Sequence, residues 1–103
     1  MRIQDDGDVG IGTTSPSVRL HVDSSTSDTV AIFKSSDSTA RIQIQDDDTT
    51  NHIVSNNSTL SLGANNTTHA GNLNIDSNGR LGVGVTDPDS KVEIIGEGDS
   101  NST

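Results

Sequence analysis

The 103-residue chain has no cysteine, tryptophan or tyrosine, one phenylalanine (Phe33), one methionine (Met1) and two prolines. Without cysteine there is no disulfide scaffold and no thiolate-held metal. Without tryptophan or tyrosine there is no broad aromatic platform for stacking on sugar rings. Basic residues are scarce, 6 against 15 acidic, for a net charge of −9. Phosphate backbones are bound by clustered Lys and Arg, so this balance argues against nucleic acid as a partner. No run approaches the ~18–20 apolar residues of a membrane span, which argues against membrane insertion. No charged segment followed by an apolar one opens the sequence as a secretory signal would.

What the chain has is polar. Ser, Thr, Asn and Asp fill 49 positions and hydrophobic residues make up 27%, well below the ~45–50% of an average globular domain. The length suits one domain. Twenty-four Val, Ile, Leu, Phe and Met side chains are too few to offset the entropy of ordering the chain on its own. Such a chain is either disordered or shares its core with other chains.

The apolar pattern favours the second outcome. Apolar residues fall in i, i+2 sets: Val9/Ile11, Val18/Leu20/Val22, Val30/Ile32, Ile42/Ile44, Leu60/Leu62, Leu73/Ile75, Leu81/Val83/Val85 and Val92/Ile94. That is the spacing of strands with one apolar and one polar face, and most of these residues are β-branched. No stretch has helical apolar spacing, so almost no helix is expected. Asp6-Gly7 and Asn78-Gly79 suit tight turns with positive φ. The stretch from Asp46 to Asn51, Asn56-Asn57 and Asn65-Asn66 read as polar loops. The segment Gly96 to Thr103 has nothing to bury and is expected to be a flexible tail.

An internal repeat is present. Met1 to Val22 matches Leu73 to Ile94 at a constant offset, with Gly7, Gly10, Gly12, Thr14 and Pro16 answered by Gly79, Gly82, Gly84, Thr86 and Pro88. Met1 itself falls on an apolar slot opposite Leu73, so the start reads as a cut into a repeat or a compact translation start. The reading is a modular, quasi-linear array. Gly7 and Gly79 relieve turn strain. Gly10, Gly12, Gly82 and Gly84 bare one face for close approach by a neighbouring chain or the next layer. Pro16 and Pro88 are expected to end their strands.

The stretch Gly7-Asp8-Val9-Gly10-Ile11-Gly12-Thr13-Thr14-Ser15-Pro16, continued to Val22, resembles a repeat of phage tail-fibre and related virion structural proteins. It is similar to those of marine phages and of fibres that carry a C-terminal intramolecular chaperone. Val30 to Asp37 and the second copy, Ile75 to Val92, are similar to the same family. The resemblance implies a homotrimeric, elongated, β-rich shaft, interlaced around a threefold axis. The chaperone with its catalytic serine has no counterpart in this sequence. The expected fold is therefore all-β: short strands in an elongated, repeat-based, interlaced homotrimer of β-prism or β-solenoid type. It forms a single module over 1–95, with copy 1 at 1–22, intervening strands at 23–72 and copy 2 at 73–94. Its shared core is expected from Val9, Ile11, Leu20, Val22, Ile42, Ile44, Leu60, Leu62, Leu73, Ile75, Leu81, Val83, Val92 and Ile94.

Catalytic motifs are missing. There is no Gly-x-Ser-x-Gly elbow, and the Gly-x-Gly pairs follow strand spacing and open no helix. His21, His52 and His69 are scattered, and His21 is matched by Glu93 in the second copy. The carboxylates are the one plausible ligand set: Asp5, Asp6 and Asp8; Asp46, Asp47 and Asp48; and Asp87 with Asp89. Calcium wants several converging oxygens, and no twelve-residue calcium loop with its closing Glu is present, so a solvated acidic surface is the simpler expectation. Asn-x-Ser/Thr triplets begin at Asn56, Asn57, Asn65, Asn66 and Asn101 and mark surface loops. The expected function is a non-enzymatic virion structural protein at the virion surface, a tail-fibre shaft or capsid decoration acting in spacing and host attachment. Its partners would be itself and other virion proteins. A calcium- or glycan-binding adhesive module and the subunit of an extracellular filament are the alternatives.

Overall fold

A computed structural model of the chain describes residues 1–96. The expected tail lies outside the described residues apart from Gly96. The fold is all-β, with nine strands and no helix among the described residues, and hence no helix long and apolar enough to cross a membrane. The strands form two open mixed sheets, one in each of two compact units, Met1–Ile32 and Phe33–Thr103.

In the first unit, β1 (Arg2–Ile3), β2 (Val9–Ile11) and β3 (Leu20–Val22) lie side by side in chain order. β1 and β2 form an antiparallel hairpin, with Ile3 opposite Val9. The turn is closed by Gly7 N–H donating to the Gln4 carbonyl at 2.9 Å, and Gly7 sits at φ +89°, where a side chain is costly. β2 and β3 run parallel, Val9 opposite Leu20 and Ile11 opposite Val22. Only residues 12–19 join them, whereas parallel strands ordinarily need a crossover of about a dozen residues or more. The sharp bend that permits this is Gly12, at φ +80°, where a Cβ would collide with the Asp23 carbonyl oxygen.

The second unit contains β4 (Thr39–Gln45), β5 (Thr50–Asn56), β6 (Thr59–Gly63), β7 (Leu73–Ile75), β8 (Leu81–Val83) and β9 (Val92–Ile94), again in chain order. Neighbours are antiparallel except β8 and β9, which are parallel. Its last three strands have the registers of the first unit: Ile75 faces Leu81, Leu81 faces Val92 and Val83 faces Ile94. The flanking bonds match too. Leu81 N–H donates to the Lys91 carbonyl as Val9 N–H does to that of Arg19, both at 2.8 Å. Gly84, at φ +81°, makes the second bend.

Several local expectations are corrected. Val30 and Ile32 lie in no strand and are exposed. Asn56 is the last residue of β5 and not part of a loop; the turn is Asn57-Ser58, both with positive φ (47° and 70°), the two-residue pattern that matches strand twist. Thr50 and Asn51 belong to β5 as well. Pro16 and Pro88 do not end strands, which stop at Ile11 and Val83. Both prolines are buried, against Gly10 and Gly82. The close approach at these glycines comes from within the chain: a Cβ on Gly82 would meet the Val85 carbonyl oxygen at 2.6 Å, and one on Gly10 the Thr13 carbonyl oxygen. No neighbouring chain is needed to explain them. Gly12 and Gly84 sit at bends just past their strands.

The interior of the second unit is polar. Val54 is the one buried aliphatic side chain among the described residues; around it His52, Asn56, Ser61, Asn72 and Asn74 are buried. Strand alternation puts His52, Val54 and Asn56 on one face, and pairing adds Ser61, Asn74 and Gly82 beside Val54. Loop 64–72 covers this face because asparagine side chains bind its backbone. Asn72 Nδ2 donates to Ser61 Oγ at 2.9 Å and to the Asn65 carbonyl at 3.0 Å. Asn74 Nδ2 donates to the carbonyls of His69 at 2.9 Å and Val85 at 3.1 Å. Arg41 Nε reaches the Asn66 carbonyl at 2.9 Å from β4. The asparagine amide nitrogens are bonded, whereas Asn74 Oδ1 and His52 Nδ1 are buried without a partner.

Candidate functional site

The opposite face of the same sheet is apolar and uncovered. One position in each strand is aliphatic and stands directly across from the next: Ile42, Ile53, Leu62, Leu73, Val83 and Ile94 form an unbroken row over all six strands. A second row runs beside it through Ala40, Ser55, Leu60, Ile75, Leu81 and Val92. Leu73 and Val83 are each 39% exposed and Ile94 46%, values that belong to a surface rather than a core. No charged residue occupies either row, in a chain of net charge −9. Phe33 adds its ring to a shallow depression with Ala40, Ile42, Ile53 and Leu60.

The first unit has the same arrangement in shorter form. Ile3, Val9 and Leu20 make one row, and Ile11 with Val22 the other. Ile3, Ile11 and Leu20 are exposed. Of the residues expected in a shared core, Val9, Val22, Ile42, Leu62, Ile75 and Leu81 are half-buried; Ile11, Leu20, Ile44, Leu60, Leu73, Val83, Val92 and Ile94 are exposed. All lie in strands, and in each unit they are brought to one face.

Sequence reasoning missed Ile53, the row's member in β5, and Val54 on the other side. Two adjacent aliphatics send one side chain to each face, so a search for i, i+2 pairs passes over them. It also missed the asparagine network. The only sequence signal for that network was an asparagine before and after Leu73, and composition buried it among many others.

The carboxylates are spread over exposed turns. Asp6 Oδ1 accepts from Asp8 N–H at 3.1 Å, and Asp8 pairs with Arg19 at 3.0 Å; Arg19 also donates to the Asp6 carbonyl. Asp5 is exposed and is not drawn into this cluster's bonds. Asp46, Asp47 and Asp48 bring carboxylate oxygens within 4.8 Å of one another, all exposed. Asp46 Oδ1 is already engaged: it accepts from the Thr49 hydroxyl and N–H, both at 2.7 Å, and from Asp48 N–H at 3.3 Å. These bonds, the Thr49 hydroxyl foremost, hold the Asp46 carboxyl below the ordinary aspartate range. Asp37 is lowered likewise, first by Thr39 N–H and then by the Ser35 hydroxyl. Asp87 and Asp89 are exposed, and Asp89 N–H donates to Glu93 at 2.8 Å.

The histidines do not converge. His21 Nδ1 accepts from Ser17 N–H at 3.3 Å and His69 Nδ1 from Gly71 N–H at 2.9 Å, while buried His52 has no partner at Nδ1. No nucleophile, base and orienting group come together around any of them among the described residues.

No family model, curated protein or solved structure matches the chain.

Proposed function

We propose that this chain is a non-enzymatic structural module that assembles as a homotrimer through its apolar sheet face. The observation that carries the reading is the six-strand aliphatic row from Ile42 to Ile94, free of charge, with Ile53, Leu73, Val83 and Ile94 exposed. Exposed apolar bands of this extent mark interaction surfaces, because leaving them in water forfeits their burial energy. The face turned inward is polar and already closed by loop 64–72, so the apolar face is where the missing hydrophobic core can form. The short loops, the bends at Gly12 and Gly84 and the acidic, soluble exterior suit a passive spacer. The likeness of Gly-Ile-Gly-Thr-Thr-Ser-Pro at 10–16 to virion fibre repeats supports a role as a tail-fibre shaft or capsid decoration at the virion surface, with other virion proteins as partners.

Native mass spectrometry and sedimentation test this directly. Three chains per particle are expected. A folded, strand-rich single chain that persists on dilution overturns the reading. Electron microscopy of the purified chain separates discrete particles from an extended filament.

A further inference from the structure

If copies assemble through the apolar face as proposed above, they meet in a definite direction. We propose that the symmetry axis of the assembly runs along the row Ile42–Ile53–Leu62–Leu73–Val83–Ile94, at right angles to the strands, so that each residue of the row meets its own counterparts in the other copies.

An interface centred on one point has an apolar middle and a polar rim. Along the strands this face fades on β5, where Ile53 is flanked by Asn51 and Ser55, although β4 carries Ile44 beside Ile42. Across the strands the row from Ile42 to Ile94 does not fade, while the flanking row passes through Ala40 and Ser55 before it reaches Leu60, Ile75, Leu81 and Val92. The edge strands β4 and β9 contribute Ile42 and Ile94, residues as apolar as Leu62 and Leu73 in the middle. The band is about 29 Å long for six strands at about 4.8 Å and about 14 Å wide for two rows. A long, narrow, ungraded strip is the shape of a seam parallel to an axis. A face-to-face pair related by a twofold axis parallel to the strands would instead set Ile42 against Ile94.

The occupant is a further copy of the same chain. The strip carries no charge, while the chain carries −9 in its turns and edges. Two such chains repel by their net charge and meet without that penalty along strips like this one, which are equal in length and register by identity. The first unit has the same two rows in the same registers, Ile3–Val9–Leu20 and Ile11–Val22.

The absence of cysteine makes the test clean. Three single variants of the full chain, Ile42→Cys, Leu73→Cys and Ile94→Cys, are refolded with a mild oxidant, and disulfide-linked pairs are read on non-reducing gels. A disulfide requires Cα atoms within about 7 Å. Each variant is expected to link to itself, and a mixture of Ile42→Cys with a size-tagged Ile94→Cys to give no mixed link. Mixed 42–94 links without self-links at either end overturn the axial seam, as does self-linking at Leu73 alone. Ile53→Cys and Val83→Cys provide a second set if a variant loses strand content by circular dichroism. Native mass spectrometry of the unmodified chain separates the two levels: single chains sink the assembly reading itself, whereas trimers with the wrong links sink only the axis.

Discussion

Asn72 and Ser61 meet inside the second unit: the Asn72 amide donates to the Ser61 hydroxyl at 2.9 Å, and both residues are buried. The same amide reaches the carbonyls of Asn65 and Thr67, so one side chain ties β6 to the loop that covers it. Asn72→Ala is expected to cost about 2 kcal/mol, since it strands buried acceptors that water cannot reach. Asn72→Leu gains no more, because the added apolar surface leaves the same acceptors unpaired. Urea unfolding of the assembled protein measures both; loss of less than about 0.5 kcal/mol contradicts the network's role.

The glycines separate into two kinds. Gly84 combines φ +81° with a Cβ position blocked by the Ile95 carbonyl, whereas Gly79 has φ +75° and open space around it. Gly84→Ala is expected to cost about 3 kcal/mol or more, and Gly79→Ala about 1 kcal/mol, the conformational penalty alone. Thermal or chemical unfolding of the pair ranks them. Equal losses would mean that the bend at Gly84 adapts.

Acid acts on the β4–β5 turn through Asp46. Its carboxyl is held below the ordinary aspartate value of about 3.9, first by the Thr49 hydroxyl and then by backbone N–H groups. A depressed folded pKa contributes stability that is fully present above the unfolded value and is lost as pH falls through the folded one. The turn should therefore stay intact at pH 5 and loosen only below the ordinary value. Carboxyl-carbon NMR titration is expected to give Asp46 a midpoint below that of an unstructured aspartate. A midpoint at or above it contradicts the bonds. Asp46→Asn is expected to remove the acid-dependent change at Thr49.

A charge on the aliphatic row should break the assembly. Leu73→Asp places a carboxylate in the middle of the strip, where burial without a partner is strongly opposed. The expected result is loss of the trimer at concentrations where the unmodified chain is assembled. Asn57→Asp, in the exposed β5–β6 turn, is expected to leave the mass unchanged. A trimeric Leu73→Asp variant would remove the row from the interface.

Calcium removal should do nothing to the melting temperature. A hard cation needs six to eight oxygens, and one of the three adjacent carboxylates is already occupied as the anchor of its own turn. Scans with EDTA and with added calcium are expected to coincide. A rise with calcium alone would turn Asp46–Asp48 into a site.

Much of the strand layout was legible before the structure. Period-two pairs such as Leu81/Val83 and Val92/Ile94 coincide with β8 and β9, because a half-exposed strand must alternate. β5 was not legible as a strand, since its buried positions are His52, Val54 and Asn56, and polar residues inward look like polar residues outward. Val30 and Ile32 had the right spacing but no neighbouring strand, and spacing without a pairing partner does not make a sheet. The candidate surface was readable as a set of aliphatic residues, but its single-file order was not, because cross-strand register depends on turn lengths.

The amino-acid sequence alone determined that the chain is all-β, that its strands have two unlike faces, and that its bends fall at glycines in matching positions of two segments. Tertiary structure alone decided which face closes within the chain. Alternation distinguishes the faces without saying which is covered. Closure of the polar one depends on hydrogen bonds from Asn72 and Asn74 to nearby loop carbonyls and from Arg41 to one 25 residues away, and such directional pairings leave no periodic trace in the order of residues.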